Sequence, residues 1–231
     1  MMKKGFVLLV LLLIAVLVLW ITQQPKTNQT VVVEGTPWQI SVLPDGNSRV
    51  FGLTLGKDTF ADAQSVLGAG YELAVISPME GDAGLEMYYS RYRAGPITGK
   101  LVVVAEVGPK QLDELKQQAS QMSILQNGSK QYVFGGQTEE KIRTYKIKSL
   151  AFIPTVNLDA ALLRSRFGEP GEVVVDAVDP KQQHYIYSEK GLDIVLSEEG
   201  KEVMQYVAPK DFEALLTPKG IDSTPLTTEE K

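Results

Sequence analysis

Asn157-Leu158-Asp159-Ala160-Ala161-Leu162-Leu163-Arg164-Ser165-Arg166-Phe167-Gly168-Glu169-Pro170 is the stretch from which the fold is read. Asn157 is placed to cap a helix, Leu158, Ala161 and Leu162 share one face, and Gly168 with Pro170 stops it. One hundred positions earlier the same grammar appears. Asp58 or Thr59 caps, Phe60, Ala63, Val66 and Leu67 form the stripe, and Gly68 follows the helix. Ala61, Ser65, Gly68, Glu72 and Val75 match Ala161, Ser165, Gly168, Glu172 and Val175 at that shift. Val103, Val107, Pro109, Lys110 and Leu115 match Val203, Val207, Pro209, Lys210 and Leu215. Self-similarity at a long period predicts two copies of one supersecondary unit.

Strands are predicted after each helix. In the second copy they run over Val173 to Ala177, Tyr185 to Tyr187, Leu192 to Leu196 and Val203 to Val207, with Glu198-Glu199-Gly200-Lys201 as a hairpin turn. The first copy has Leu85 to Tyr89, a longer middle around Gly95-Pro96 and Gly99, then Leu101 to Val107. A helix opens at Pro109, a position that tolerates proline, with Leu112, Leu115, Ala119 and Met122 on one face. Outside the copies, Trp38, Ile40 and Val42 alternate, Pro44-Asp45-Gly46-Asn47 turns, and Arg49 to Leu53 pairs back. Tyr132 to Phe134 and Ile142 to Ile147 read as strands around Gly135-Gly136.

The chain opens with Met1-Met2-Lys3-Lys4 and an apolar run from Gly5 to Ile21. Roughly 17 residues of helix reach about 25 Å, the short end of what spans a hydrocarbon core. Trp20 sits at the interface level, and Lys3 with Lys4 favours a cytoplasmic N-terminus. The alternative is a cleaved signal peptide, but Leu19 to Pro25 lacks a small-x-small cleavage pattern. The expected organisation is therefore a transmembrane signal anchor over 1–22, touching the membrane through residues 5–21, and a linker over 23–35. A first α+β unit follows over 36–123, connecting strands over 124–150, a second α+β unit over 151–216 and a polar tail over 217–231. The fold class expected is α+β: two tandem helix-plus-antiparallel-sheet units after one N-terminal transmembrane helix. That address implies a bacterial inner-membrane protein, single-pass, with its C-terminal domain in the periplasm.

Composition narrows the chemistry. The net charge of -5 and pI near 5.1 argue against a nucleic-acid surface, which needs clustered Lys and Arg. The chain has no cysteine, which removes disulfides, thiolate metal sites, thiol nucleophiles and lipidated cysteine together. His184, the sole histidine, reads as a surface residue at a strand edge. No Gly-x-Ser-x-Gly elbow accompanies it. Asp176 with Asp179, Glu139 with Glu140 and Glu198 with Glu199 fall in turns, and Asp176-x-x-Asp179 lacks the oxygen density of a calcium loop. Gly135-Gly136 and Gly81 to Gly84 lack the Lys-Ser/Thr of a phosphate loop. No catalytic, cofactor-binding or metal-binding residues are expected. The candidate partner-contact residues are Tyr88, Tyr89, Arg91, Tyr92 and Arg93, because protein interfaces enrich tyrosine and arginine.

Asn157 to Pro170, with Tyr185-Ile186-Tyr187 and Leu192 to Val207, resembles the repeat unit of the SmpA/OmlA family, small envelope lipoproteins tied to outer-membrane assembly. A tandem pair of such units is similar to the beta-lactamase inhibitory protein fold. The resemblance spans Gly52 to Leu215. It implies an envelope setting and a fold, and it transfers no binding residues. This chain departs from the family in lacking the lipidated cysteine and in carrying two units.

The function expected on these grounds is a non-enzymatic, membrane-anchored periplasmic binding or scaffold protein that contacts other envelope proteins. The alternatives are an inhibitor or modulator of an envelope enzyme, and an enzyme acting on cell-wall or lipid material.

Overall fold

The computed structural model describes residues 35–216. Three short strands, β1 (Ser41–Val42), β2 (Ser48–Val50) and β3 (Leu53–Thr54), form a small antiparallel sheet. Helix α1 (Phe60–Leu67) leads into β4 (Glu72–Ser77), β5 (Gly84–Ala94) and β6 (Ile97–Ala105). Helix α2 (Pro109–Gln117), β7 (Gln121–Ile124), β8 (Lys130–Val133) and α3 (Gly136–Ile142) follow. Then come β9 (Ile147–Pro154), α4 (Ala160–Phe167), β10 (Glu172–Val175), β11 (Gln182–Tyr187), β12 (Leu192–Ser197), β13 (Val203–Val207) and the single-turn α5 (Glu213–Leu216). Strands β4 to β13 make one antiparallel sheet in the order β10-β11-β12-β13-β9-β6-β5-β4-β8-β7.

The helices start and stop by local chemistry. The Thr59 hydroxyl accepts the Asp62 N–H at 3.3 Å while Asp62 Oδ2 accepts the Thr59 N–H at 2.8 Å, a reciprocal capping box. Asp159, not Asn157, caps α4 by accepting the Leu162 N–H at 2.7 Å. Gly68 and Gly168 end α1 and α4 at φ of 95° and 83°, a region that penalises any Cβ. A tyrosine fastens each end: Tyr89 Oη donates to the Gly68 carbonyl at 3.0 Å, and Tyr187 Oη to the Gly168 carbonyl at 3.2 Å.

Strand residues alternate between two faces. One face contributes Val75, Met87, Val103, Phe152, Tyr206 and Ile194 to a single buried cluster that also takes Phe60 from α1 and Phe167 from α4. Leu53 of the small sheet joins it with Phe51 and Leu55 from the turns on either side, as do Leu112 and Leu115 of α2. Phe51 meets Tyr206 edge-on at 5.4 Å between ring centres. Tyr206 Oη donates to the Pro37 carbonyl at 3.0 Å, and the Arg166 guanidinium stacks 4.7 Å over Trp38, so the stretch before β1 is clasped to the core. On the opposite face Ile186, Val207, Phe212 and Leu216 form a second, small cluster under α5.

Several expectations are corrected. The described residues are mostly β, with thirteen strands in two sheets and five short helices, and not an α+β pair of tandem units. The reason is β9. It pairs with β6 on one side and β13 on the other, which merges both halves into one sheet over one core. The strand expected over Ile142 to Ile147 is the end of α3, a turn over 143–145 and the bridge residue Lys146 that leads into β9 at Ile147. Met122 is not on a helix face, because α2 ends at Gln117 and Met122 lies in β7. The anchor expected over 5–21 and the tail over 217–231 lie outside the described residues. Among the described residues no helix is long and apolar enough to cross a membrane; α2, the longest at nine residues, rises only about 14 Å. The transmembrane, signal-anchor and single-pass inner-membrane assignments are withdrawn on that finding.

Gly99 sits where β6 crosses β9. A Cβ there would stand 2.5 Å from the Ile153 carbonyl oxygen and 2.6 Å from the Phe152 ring. Backbone cannot yield as a side-chain tip can, so Gly99→Ala is expected to destabilise the domain by roughly 1–3 kcal/mol, read from the urea midpoint.

Candidate functional site

The five residues singled out in β5 are not gathered on one surface. The ladder with β6 shifts register between Tyr89 and Tyr92, so Ser90 and Arg91 bulge out of it. Tyr89 is buried, its hydroxyl committed to the Gly68 carbonyl, and burial pushes its ionisation well above the ordinary range. Tyr92 is half-buried and packs edge-on against Phe51 at 5.8 Å; burial raises its hydroxyl too. Tyr88 lies on the other face, opposite Glu72 and Val102. Arg91 and Arg93 are exposed, and Arg93 Nε donates to the Gly95 carbonyl at 3.1 Å.

The densest polar arrangement forms around His184, which the sequence reading placed at the surface and which is in fact buried. Its Nδ1 lies 2.9 and 3.1 Å from the two carboxylate oxygens of Asp193, which is also buried. Its Nε2 lies 3.1 Å from Asp176 Oδ2. Strand register produces this cluster. His184 of β11 stands between Val174 of β10 and Val195 of β12, and Asp193 lies two residues along β12 on the same face. Asp176 comes from the first residue after β10. Its Oδ1 accepts the N–H groups of Val178 and Asp179, each at 2.8 Å, and so closes the β10–β11 turn. The Asp179 and Val178 amides and the His184 ring all hold the Asp176 carboxyl below its usual range, against the opposing effect of burial. The signal that would have located the cluster is the hairpin register, which brings together residues eight and nine apart.

A cleft of about 610 Å³ opens on the same sheet face, between the start of α2 and the C-terminal segment. Val104, Ser149 and Val207 floor it, and Lys148, Lys210, Glu106 and Asp211 stand around it with both signs of charge. Among the described residues no group of three or more His, Asp or Glu side chains is arranged to hold a metal ion.

The two ends of the large sheet are unusual. Strand β7 exposes Met122 (52%) and Ile124 (68%), and β10 exposes Val173 (45%) and Val175 (52%). Neither strand contains lysine, arginine or proline, with which sheet edges are commonly guarded, and the one charge on either is Glu172 at the start of β10.

No protein-family model, curated protein or solved structure matches this chain. The likeness to SmpA/OmlA units therefore stands on the sequence motifs alone.

Glu86 of β5 lies between Ala74 and Val104 on the face that carries the His184 cluster. Burial lifts its carboxyl from 4.5 to about 7. Below about pH 4.5 it is neutral in both folded and unfolded chains. Between there and about pH 7 folding takes up a proton, and above that an ionised carboxylate is buried. Stability from this group therefore falls as pH rises through that window. Glu86→Gln is expected to exceed the parent in stability at about pH 8 by on the order of 1–3 kcal/mol and to match it at about pH 4, measured by urea unfolding at both.

Proposed function

We propose that this chain is a non-catalytic protein-binding module that takes up extended segments of partner proteins along the edges of its sheet. The observation that carries the reading is that both ends of the ten-stranded sheet finish in strands with exposed apolar side chains and without lysine, arginine or proline. An edge strand offers a row of backbone donors and acceptors, and alternate side chains beside it supply selectivity. At the β7 end, exposed Met79 packs over Gly128 in the β7–β8 turn, adding an adaptable apolar side chain at that end of the sheet. At the β10 end, Val178 is exposed at the tip of the following turn.

The two edges are nine strand spacings apart, roughly 40 Å along the sheet. Two segments can therefore bind without colliding, which favours a scaffold that bridges partners. The position of His184 supports a non-catalytic reading, since the ring is buried with both nitrogens turned to carboxylates.

The test is selection of short random peptides, displayed on phage, against the full-length chain. Selected peptides are expected to alternate apolar and polar residues and to fall into two classes. One class loses at least about tenfold in affinity on Met122→Lys with Ile124→Lys, the other on Val173→Lys with Val175→Lys. Binders that hold equally to both lysine variants, with folding intact by circular dichroism, would overturn the reading.

A further inference from the structure

Resting on the edge-docking reading, the geometry points to His184 as a proton-operated clasp for the β10 edge. A neutral imidazole carries one N–H, whereas the ring here faces a carboxylate from each nitrogen. Only the imidazolium donates to Asp193 and Asp176 together. When the ring loses a proton, the remaining one stays toward Asp193, whose carboxylate is fully buried and approaches Nδ1 with both oxygens. The bare Nε2 lone pair then faces Asp176 Oδ2, and contact turns from attraction to repulsion.

Asp176 is the residue through which this change reaches the edge. It directly follows β10, its N–H continues the ladder by donating to the Gln182 carbonyl at 3.0 Å, and its other carboxylate oxygen closes the turn that displays Val178. Releasing Oδ2 loosens the attachment of β10 and its turn to β11. A loosened β10 is a poorer template for an added strand, because the ordering has to be supplied at binding. Docking at this edge therefore weakens as the histidine deprotonates.

Around the ring, Asp176 comes from the end of β10 and Asp193 from β12; Val174 and Val195, its register neighbours, do not titrate. The connecting turn carries Asp179 and Lys181. Asp179 is occupied within the turn by the Lys181 N–H and the Gln182 amide, and Lys181 is paired with Glu199 at 2.7 Å. The segment packed over neighbouring Ile186 carries Lys210, Asp211 and Glu213.

The chain has a single histidine, so ring nitrogen signals of the full-length protein report on His184 alone. Nitrogen-15 NMR between about pH 5 and 8 is expected to show both ring nitrogens protonated at the acid end and Nε2 bare at the alkaline end. The Val178 and Asp179 amide shifts should move with the same midpoint. Hydrogen-exchange protection in β10, corrected for base catalysis, should fall with it. Asp176→Asn keeps an oxygen to close the turn and removes the charge facing Nε2, so the turn's pH response should vanish in that variant. His184→Gln should abolish the response as well. A ring that keeps one protonation state across this range, or a response that persists in folded Asp176→Asn, would overturn the clasp. Peptides of the β10 class should weaken by about tenfold over the same range, and those of the β7 class should not. If the ring and turn respond but no β10-class peptide exists, the clasp stands and the docking reading fails. If β10-class peptides bind with no dependence on pH while the turn is silent, docking stands and the clasp fails.

Discussion

Every buried strand needs a hydrogen-bonding neighbour on both sides, since an orphaned backbone group costs the full penalty of its desolvation. In this molecule β6 and β13 meet that demand through β9, whose residues pair with Leu101 to Val104 on one side and Met204 to Val207 on the other. The rest of the structure follows from that shared partner. Because β9 is common to both halves, their helices lie over one continuous apolar face, and Phe152 at its centre contacts Phe51 in the β2–β3 turn. A chain able to bury its core in two separate units would have left two more strand edges open. Joining them leaves two edges for the whole ten-stranded sheet, at β7 and β10.

The same local device recurs on either side of β9. A capped eight-residue helix ends in a glycine at positive φ, and the freed carbonyl is taken by a tyrosine from the sheet. The logic is one of donor and acceptor accounting. A helix C-terminus leaves carbonyls without intrahelical partners, and a tyrosine whose ring is buried needs an acceptor for its hydroxyl. Each satisfies the other, and the pairing fixes the helix end against the sheet. This also explains why Tyr89 does not belong to a contact surface: its hydroxyl has a structural task inside the fold.

How much of this was legible in the sequence depends on how local each determinant is. The helices α1 and α4 were legible as helices because their caps and terminal glycines lie within a dozen positions, but their buried faces were only partly so: Val66 of α1 is exposed, and α4 is capped by Asp159 and buries Leu163 and Phe167 rather than the face of Leu158, Ala161 and Leu162. The β12–β13 hairpin was readable for the same reason, with a glycine in an acidic turn between two apolar runs. Strand β9 was missed. Ile147-Lys148-Ser149-Leu150-Ala151-Phe152-Ile153-Pro154 lacks clean alternation at its start, where the register with β6 shifts next to Ala105, and its terminal proline suggests a boundary. His184 was misplaced because polar residue type argues for the surface, and only the pairing of β11 with β12 reveals that Asp193 and Asp176 flank it. Tyr88, Tyr89, Arg91, Tyr92 and Arg93 look contiguous in sequence, but strand alternation and a bulge send them in different directions.

Burying a histidine and an aspartate beside an open sheet edge is costly unless each polar atom finds a counterpart. Two apolar residues at those positions would build a simpler extension of the cluster around Ile186 and Phe212. A polar pair instead makes the packing conditional on hydrogen-bond geometry and on one proton, since the carboxylates face opposite sides of a single ring. The main apolar cluster around β9, built of residues such as Val75, Leu101, Val103, Leu150 and Phe152, is held by shape, while Glu86 lies on the reverse face of the same strands. Responsiveness is thus confined to one face of the sheet: Glu86 near its centre and the His184 cluster near the β10 end both lie opposite the main apolar cluster, whose packing is set by shape.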